Sequence, residues 1–308
     1  MFANLEALLA VEHYGTISRA AVWLGLTQSA VSKRIQTLEQ VLGRKLIEPT
    51  GRTVSITPFG VRLIERSKPL FLELKEALAE EVSEQSGELI IAISGALMLS
   101  WGESVLKRVR QDNPGIILTF NSHRSPIATA RVRSGDCMIA VVHGESELTP
   151  DLMAKHICDD TFVVVPADLK PFTFPRSGKL ELLTIESHSE TWSALERKLR
   201  LGSVKWGVEF YVRNTMENFM SVAQLARSGF CHGIVPLSVA LALGIPRNKL
   251  VPFPGQGLSI PVSIVGRGTT LDRSIVKFFY ESLQKHAVSA SARALSATIG
   301  LSKRSPQK

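Results

Sequence analysis

Three cysteines in 308 residues, Cys137, Cys158 and Cys231, are too few, odd in number and too far apart for a disulfide framework or a metal knuckle. No apolar stretch reaches the roughly 18 residues of a membrane span. The opening MFANLEALLAVEHYG has neither a basic run ahead of an apolar one nor a small-residue cleavage site, so a soluble, cytoplasmic protein is expected. A GxGxxG turn, a P-loop, a nucleophile elbow and a paired metal motif are all missing, which removes the sequence support for catalysis. Cys231 and His232 are neighbours on an expected strand, point to opposite faces and cannot form a nucleophile and base alone. His123 and His143 have no third ligand at metal spacing, and no metal or cofactor is expected.

With 44% hydrophobic and 21% charged residues, the chain can bury the cores of two or three domains. The net charge is +8. Residues 1–70 hold nine Lys and Arg against five Asp and Glu, and the run from Phe71 to Glu88 reverses the sign with six Glu against Lys75 alone. Most of the surplus follows residue 88, where it fits either an anionic ligand or merely a basic surface ending in Lys303, Arg304 and Lys308.

The stretch from Ser18 to Leu42, SRAAVWLGLTQSAVSKRIQTLEQVL, predicts two short helices meeting at Gly25 and Leu26. Ala20 and Ala21 allow a close crossing. Thr27 is an N-cap for a helix over 28–42, with Val31, Ile35, Leu38 and Leu42 on its buried face. Thr27, Gln28, Ser29, Ser32, Lys33 and Gln36 form the opposite face, suited to base edges and phosphates. Spacing alone leaves open a solvated face of an all-α domain.

The pattern AA..L..TQSAVS..I..LE, followed by LGRKLIEPTGRTVSITPFG, resembles the winged helix-turn-helix of LysR-type transcriptional regulators. The resemblance is strong over about the first 65 residues and looser to the end of the chain. Ser29 stands where that family usually has proline, Ile47 where it has phenylalanine, and Pro49 where it has a wing arginine. It implies double-stranded promoter or operator DNA as partner, read by the helix-face residues together with Arg34, Arg52 and Thr53. It also implies self-association, a dimer through a linker helix and a tetramer through effector domains, with RNA polymerase as a further partner.

The expected fold is α+β multidomain. A winged helix-turn-helix occupies 1–57, a linker helix 58–86, a two-lobed α/β effector domain of type 2 periplasmic-binding-protein-like kind 87–300, and a basic tail 301–308. Lobe I is expected over about 87–162 and 266–290, and lobe II over about 163–265. Thr57 and Pro58 open the linker helix, which reaches about Ser83, kinks at Pro69 and carries an apolar stripe of Leu63, Leu70, Leu74 and Ala77. After Ser86 and Gly87, βα alternation with continuous apolar strands predicts a mostly parallel sheet, with helices over 101–111, 126–133, 192–199, 216–228 and 271–286. The stretch after about Ala287 reads as a mobile tail.

Ligands in open α/β lobes lie at the carboxyl ends of strands. Ser94, Ser100 and Thr215 stand at such ends, and by resemblance Ala96, Ser125, His143, Trp192 and Phe230 match effector-contacting positions, Ala96 replacing a frequent serine. The expected effector is a small, anionic molecule. The rival reading is a small-molecule-binding or enzymatic α/β protein whose helices only dimerise it.

Overall fold

The computed structural model describes the chain except residues 51–52, 81–86, 145–148, 187–189, 255–256 and 300–308. It divides into two compact units, Met1–Ala79 and Glu80–Lys308.

In the first unit, side-chain caps start the helices. Helix α1 spans Phe2–Tyr14. Thr16 Oγ1 accepts the Arg19 N–H at 3.2 Å to open α2 (Ile17–Leu24), and Thr27 Oγ1 accepts that of Ala30 at 3.2 Å to open α3 (Gln28–Leu42). Ala20 and Ala21 are buried among Ala7, Ala10, Val31 and Ile35, as a close crossing requires. Leu42, expected on the buried face of α3, is exposed, and Glu39 is buried instead. Strands β1 (Ile47–Thr50) and β2 (Thr53–Ile56) pair antiparallel, Ile47 opposite Ile56. Thr57 Oγ1 then accepts the Gly60 N–H at 3.0 Å and donates to the Lys45 carbonyl at 2.8 Å. That caps α4 (Pro58–Glu80), which runs through Pro69. Its apolar residues divide between two surroundings. Ile64 and Phe71 are buried, Phe71 stacked on Phe2 with centroids 4.2 Å apart, whereas Leu70, Leu74 and Leu78 are exposed. The expected end at Ser83 falls outside the described residues.

The second unit opens with β3 (Gly87–Ser94), α5 (Gly95–Leu97), a π-helical turn at Met98–Gly102 and α6 (Glu103–Asp112). The helix after β3 thus begins six residues ahead of the expected Trp101. Next come β4 (Ile116–His123), α7 (Ser125–Ser134), β5 (Ile139–His143) and β6 (Leu152–Val165). The other lobe holds β7 (Gly178–Ile185), α8 (Glu190–Trp206), β8 (Val208–Met216), α9 (Phe219–Arg227), β9 (His232–Pro236) and α10 (Leu237–Ala242). β10 (Val251–Pro252) and β11 (Leu258–Arg267) follow, and α11 (Gly268–Asp272) and α12 (Ser274–Ile299) return to the core of the first lobe.

The sheet is mixed, not mostly parallel. Its order is β4-β3-β5-β11-β6-β9-β7-β8, with β10 beside β6. β3 lies parallel between β4 and β5, and β7 parallel between β8 and β9. Between these parallel sets run β6 and β11, antiparallel from Leu258 opposite Phe162 to Arg267 opposite Leu152. β6 begins ten residues before the apolar FVVV run, its first half held by pairing with β11, and Lys155, His156, Asp159 and Asp160 mask that half in the hydrophobic pattern. Each lobe has its own core, one around Leu89, Ile91, Val105 and Phe279, the other around Phe162, Leu182, Leu195 and Val222. Gly233 is needed in the latter, since a Cβ there would meet Val222 Cγ1 at 2.9 Å. α12 continues past Ala287 to Ile299, where the small residues read as a tail. Ala and Ser are compatible with helix, and nothing over 288–299 terminates it.

Candidate functional site: an exposed helix face and an interlobe cleft

Helix α3 buries Val31, Ile35 and Leu38 and turns the opposite face outward. Thr27, Gln28, Ser29, Lys33 and Gln36 are exposed, and Ser32 and Arg34 half-buried. Ser29 Oγ lies 3.0 Å from Thr27 Oγ1, joining the N-cap. Thr53 is exposed at the start of β2 and donates to the Thr50 carbonyl at 2.9 Å, while Arg52 lies outside the described residues.

Glu39 ties this helix to the hairpin. Its carboxylate accepts the Leu46 N–H at 2.8 Å, the Ile47 N–H at 3.3 Å and Lys45 Nζ at 2.8 Å. Burial alone would raise its pKa, but the Lys45 and backbone hydrogen bonds outweigh that and hold it below the usual carboxylate value. Sequence reading placed Glu39 outside the buried stripe, because a carboxylate breaks the apolar period. Its partners lie seven and eight residues on.

In the second unit, strand ends of both lobes enclose a cleft of about 490 Å³. Lobe I contributes the segment from Ser94 to Ala96 with Leu99, the segment from Ser122 to Ile127, and His143; lobe II contributes Ile185, Glu186, Thr191, the turn Glu217–Met220 and Val239. Ser94, Ala96, Ser125 and His143 therefore come together. Ser100, Trp192, Thr215 and Phe230 do not line the cleft. Ser100 turns its hydroxyl to the Leu97 carbonyl at 3.2 Å. Trp192 is packed in the lobe II core, since one step round α8 from cleft-lining Thr191 points inward. Thr215 is exposed on β8, paired with Thr184, because the strand runs to Met216 and Asn218 caps the next helix through Ser221 N at 2.9 Å. That moves the helix start from Met216 to Phe219 and puts Glu217 and Asn218 where Thr215 was expected. Phe230 precedes β9, at the end of that strand away from the cleft, and is exposed.

His143 is bound from several sides. Its N–H donates to Ser125 Oγ at 3.2 Å, and its carbonyl accepts Thr191 Oγ1 at 3.3 Å. Nε2 lies 3.0 Å from Asp160 Oδ2, which also accepts Ser238 Oγ at 2.9 Å. His143 and Asp160 are both buried. The His143 ring thus joins β5 to the crossing strand β6 through Asp160, and lobe II is tied in by Thr191 at the His143 carbonyl and by Ser238 at Asp160. His143 is a structural member of the cleft floor, and Ser125 is already partly committed to it.

The mouth is charged differently from the anionic-ligand expectation. Arg124 pairs through Nη1 with Glu186 and stands 3.9 Å from Glu217 through Nε, so lobe I supplies the cation and lobe II both carboxylates. His123 is held towards its neutral form by burial and by the nearby Arg131. Glu186 and Glu217 were missed because each sits alone at a strand end. Cys231 donates to the Glu181 carbonyl at 3.4 Å, and burial and Glu181 push its thiol pKa up. This is the reverse of an activated thiol. Among the described residues no cluster of three His, Cys, Asp or Glu could hold a metal, and no helix is long and apolar enough to cross a membrane.

The family model "Bacterial regulatory helix-turn-helix protein, lysR family" matches residues 2–61, and "LysR substrate binding domain" matches 83–288. The chain belongs to the LysR family. Both halves of the LysR arrangement, the regulatory helix-turn-helix and the substrate-binding domain, are present in one chain. An uncharacterized HTH-type transcriptional regulator of Vibrio cholerae is 27% identical over 285 residues, 92% of this chain and 95% of the relative. Full-length OxyR of Pseudomonas aeruginosa, a cysteine variant, superposes with TM-score 0.71 at 16% identity, over 92% of this chain and 97% of OxyR. CbnR in complex with its target DNA gives TM-score 0.52 at 19% identity, over 93% and 99%. At these identities the two structures speak for the fold.

Proposed function

We propose that this LysR-family regulator binds operator DNA through the exposed face of α3 and adjusts transcription when a small molecule occupies the interlobe cleft, acting in the cytoplasm as a regulator and not as a catalyst. The observation that carries the reading is the pairing, within one family-matched chain, of a capped helix with an uncovered polar face and a cleft walled by two lobes. Gln28, Ser29 and Ser32 would read base edges, Lys33, Arg34 and Thr53 would hold phosphates, and Gln36 would extend the contact. Exposed Leu70, Leu74 and Leu78 on α4 would be covered by a second subunit, joining two heads to two half-sites, with a tetramer and RNA polymerase as further partners.

Gel shifts on the DNA upstream of the protein's own coding region test this. Gln28→Ala or Ser32→Ala is expected to weaken specific binding by about 1–3 kcal/mol with the fold intact. Lys33→Ala is expected to weaken binding to all sequences and to flatten its salt dependence. Wild-type affinity in all three variants refutes the placement of α3.

A further inference from the structure

The charges and apolar surfaces of the cleft narrow the class of its ligand. Among the described residues lining it, one guanidinium, Arg124, stands against two carboxylates, Glu186 and Glu217. Arg124 is engaged by Glu186 through Nη1, while its Nε, 3.9 Å from Glu217, is buried without a hydrogen-bond partner among the described residues; even so, an incoming carboxylate would become a third anion around that guanidinium. The two histidines of the wall do not redress this balance. Burial and Arg131 shift His123 towards its neutral form, and His143 is hydrogen-bonded to Asp160. Glu217 is different, being mostly exposed and no closer than 3.9 Å to Arg124, which leaves its oxygens open to a donor.

Two further observations are independent of charge. Leu99, Ile127 and Met220 line the same cleft yet are 39%, 41% and 47% exposed, apolar area converging on one open crevice. His123 Nε2, on the same wall, is buried without a hydrogen-bond partner among the described residues. A cavity of about 490 Å³ is of ordinary size for a small-molecule site.

We propose that the cleft takes a ligand with a protonated nitrogen, held by Glu217 with Glu186 beside it, on an apolar body lying against Leu99, Ile127 and Met220. The inference rests on the reading of the cleft as the effector site. Because Glu217 and Glu186 belong to lobe II while Leu99 and Ile127 belong to lobe I, such a ligand touches both lobes and favours their closed arrangement by its differential affinity for it.

Matched probes on the full-length protein test the charge separately from the site. n-Hexylamine and phenethylamine are compared with hexanoate and 3-phenylpropanoate by calorimetry and thermal shift at neutral pH. The amines are expected to bind and raise Tm, the carboxylates not. Glu217→Gln is expected to weaken the amines roughly tenfold or more, the scale of one charge-assisted hydrogen bond. Ile127→Trp, which fills the cleft from a partly exposed position, is expected to abolish binding while leaving the circular dichroism unchanged. Carboxylates binding as well as or better than amines, with the same loss in Ile127→Trp, overturn the proposed class and leave the effector site standing. Amine affinity unchanged in Glu217→Gln overturns the role of that carboxylate. Failure of every probe to show binding that Ile127→Trp removes overturns the cleft reading, and this inference with it.

Discussion

Replacing Glu39 by alanine removes a carboxylate that is 7% exposed and satisfies two backbone N–H groups at the entry to the hairpin. The Leu46 amide, buried at 2.8 Å, stands to lose about 2 kcal/mol as a charge-assisted bond left without an acceptor. The longer 3.3 Å bond from Ile47 contributes about 1 kcal/mol more, and mostly exposed Lys45 well under 1 kcal/mol. Glu39→Ala is therefore expected to destabilise the N-terminal unit by about 3 kcal/mol. Glu39→Gln keeps an oxygen for both amides and loses only the charge, at a cost of about 1 kcal/mol. Since Glu39 lies on α3 and its amide partners lead into β1, the alanine variant is also expected to lose DNA affinity. Hydrogen exchange of the 45–57 segment in the full-length protein reads the effect where it arises, with urea unfolding giving the total. The lowered Glu39 pKa sets the pH dependence. Its stabilisation is complete above the unfolded carboxylate pKa of about 4.3 and is lost as pH falls through the lower folded value. Wild-type exchange at Leu46 and Ile47 in Glu39→Ala, or a glutamine variant as damaged as the alanine one, would refute the reasoning.

His143→Ala is expected to cost the C-terminal unit about 3 kcal/mol in urea unfolding, because it takes the imidazole from buried Asp160 and leaves it Ser238 Oγ, and His143→Leu with Asp160→Leu to recover much of it. Additive losses in the pair would show that the two groups are not coupled. Leu70→Asp with Leu74→Asp places two charges on the exposed stripe of α4 and is expected to shift sedimentation from dimer to monomer and weaken operator binding. Sedimentation identical to wild type would show that this stripe is not the subunit contact.

Local chemistry was enough for the helix order of the first unit, though not for buried Glu39 and exposed Leu42, and for the alternation of the second. The caps Thr27 and Thr57, the small pair Ala20 and Ala21 and the glycine stops at Gly25 and Gly43 act within a few residues of themselves, so the helix-turn-helix and the start of the linker helix were legible in order. Apolar runs such as LIIAI and MIAVV likewise declared buried strands. Long-range pairing was not legible. Whether β6 and β11 lie antiparallel and join both lobes depends on residues about a hundred positions apart, and the charged stretch through Asp160 hid the first half of β6. The same distance concealed the bond of His143 to Asp160 and the gathering of Arg124, Glu186 and Glu217 around one mouth. Of the eight cleft residues expected from strand ends and from the family resemblance, Ser94, Ala96, Ser125 and His143 line the cleft. Trp192, Thr215 and Phe230 went elsewhere because helix phase, a shifted N-cap and strand polarity decide which way a side chain points. Residue order set the elements and their caps; the charge of the cleft arose only when folding brought lone residues from separate strand ends within reach of one another.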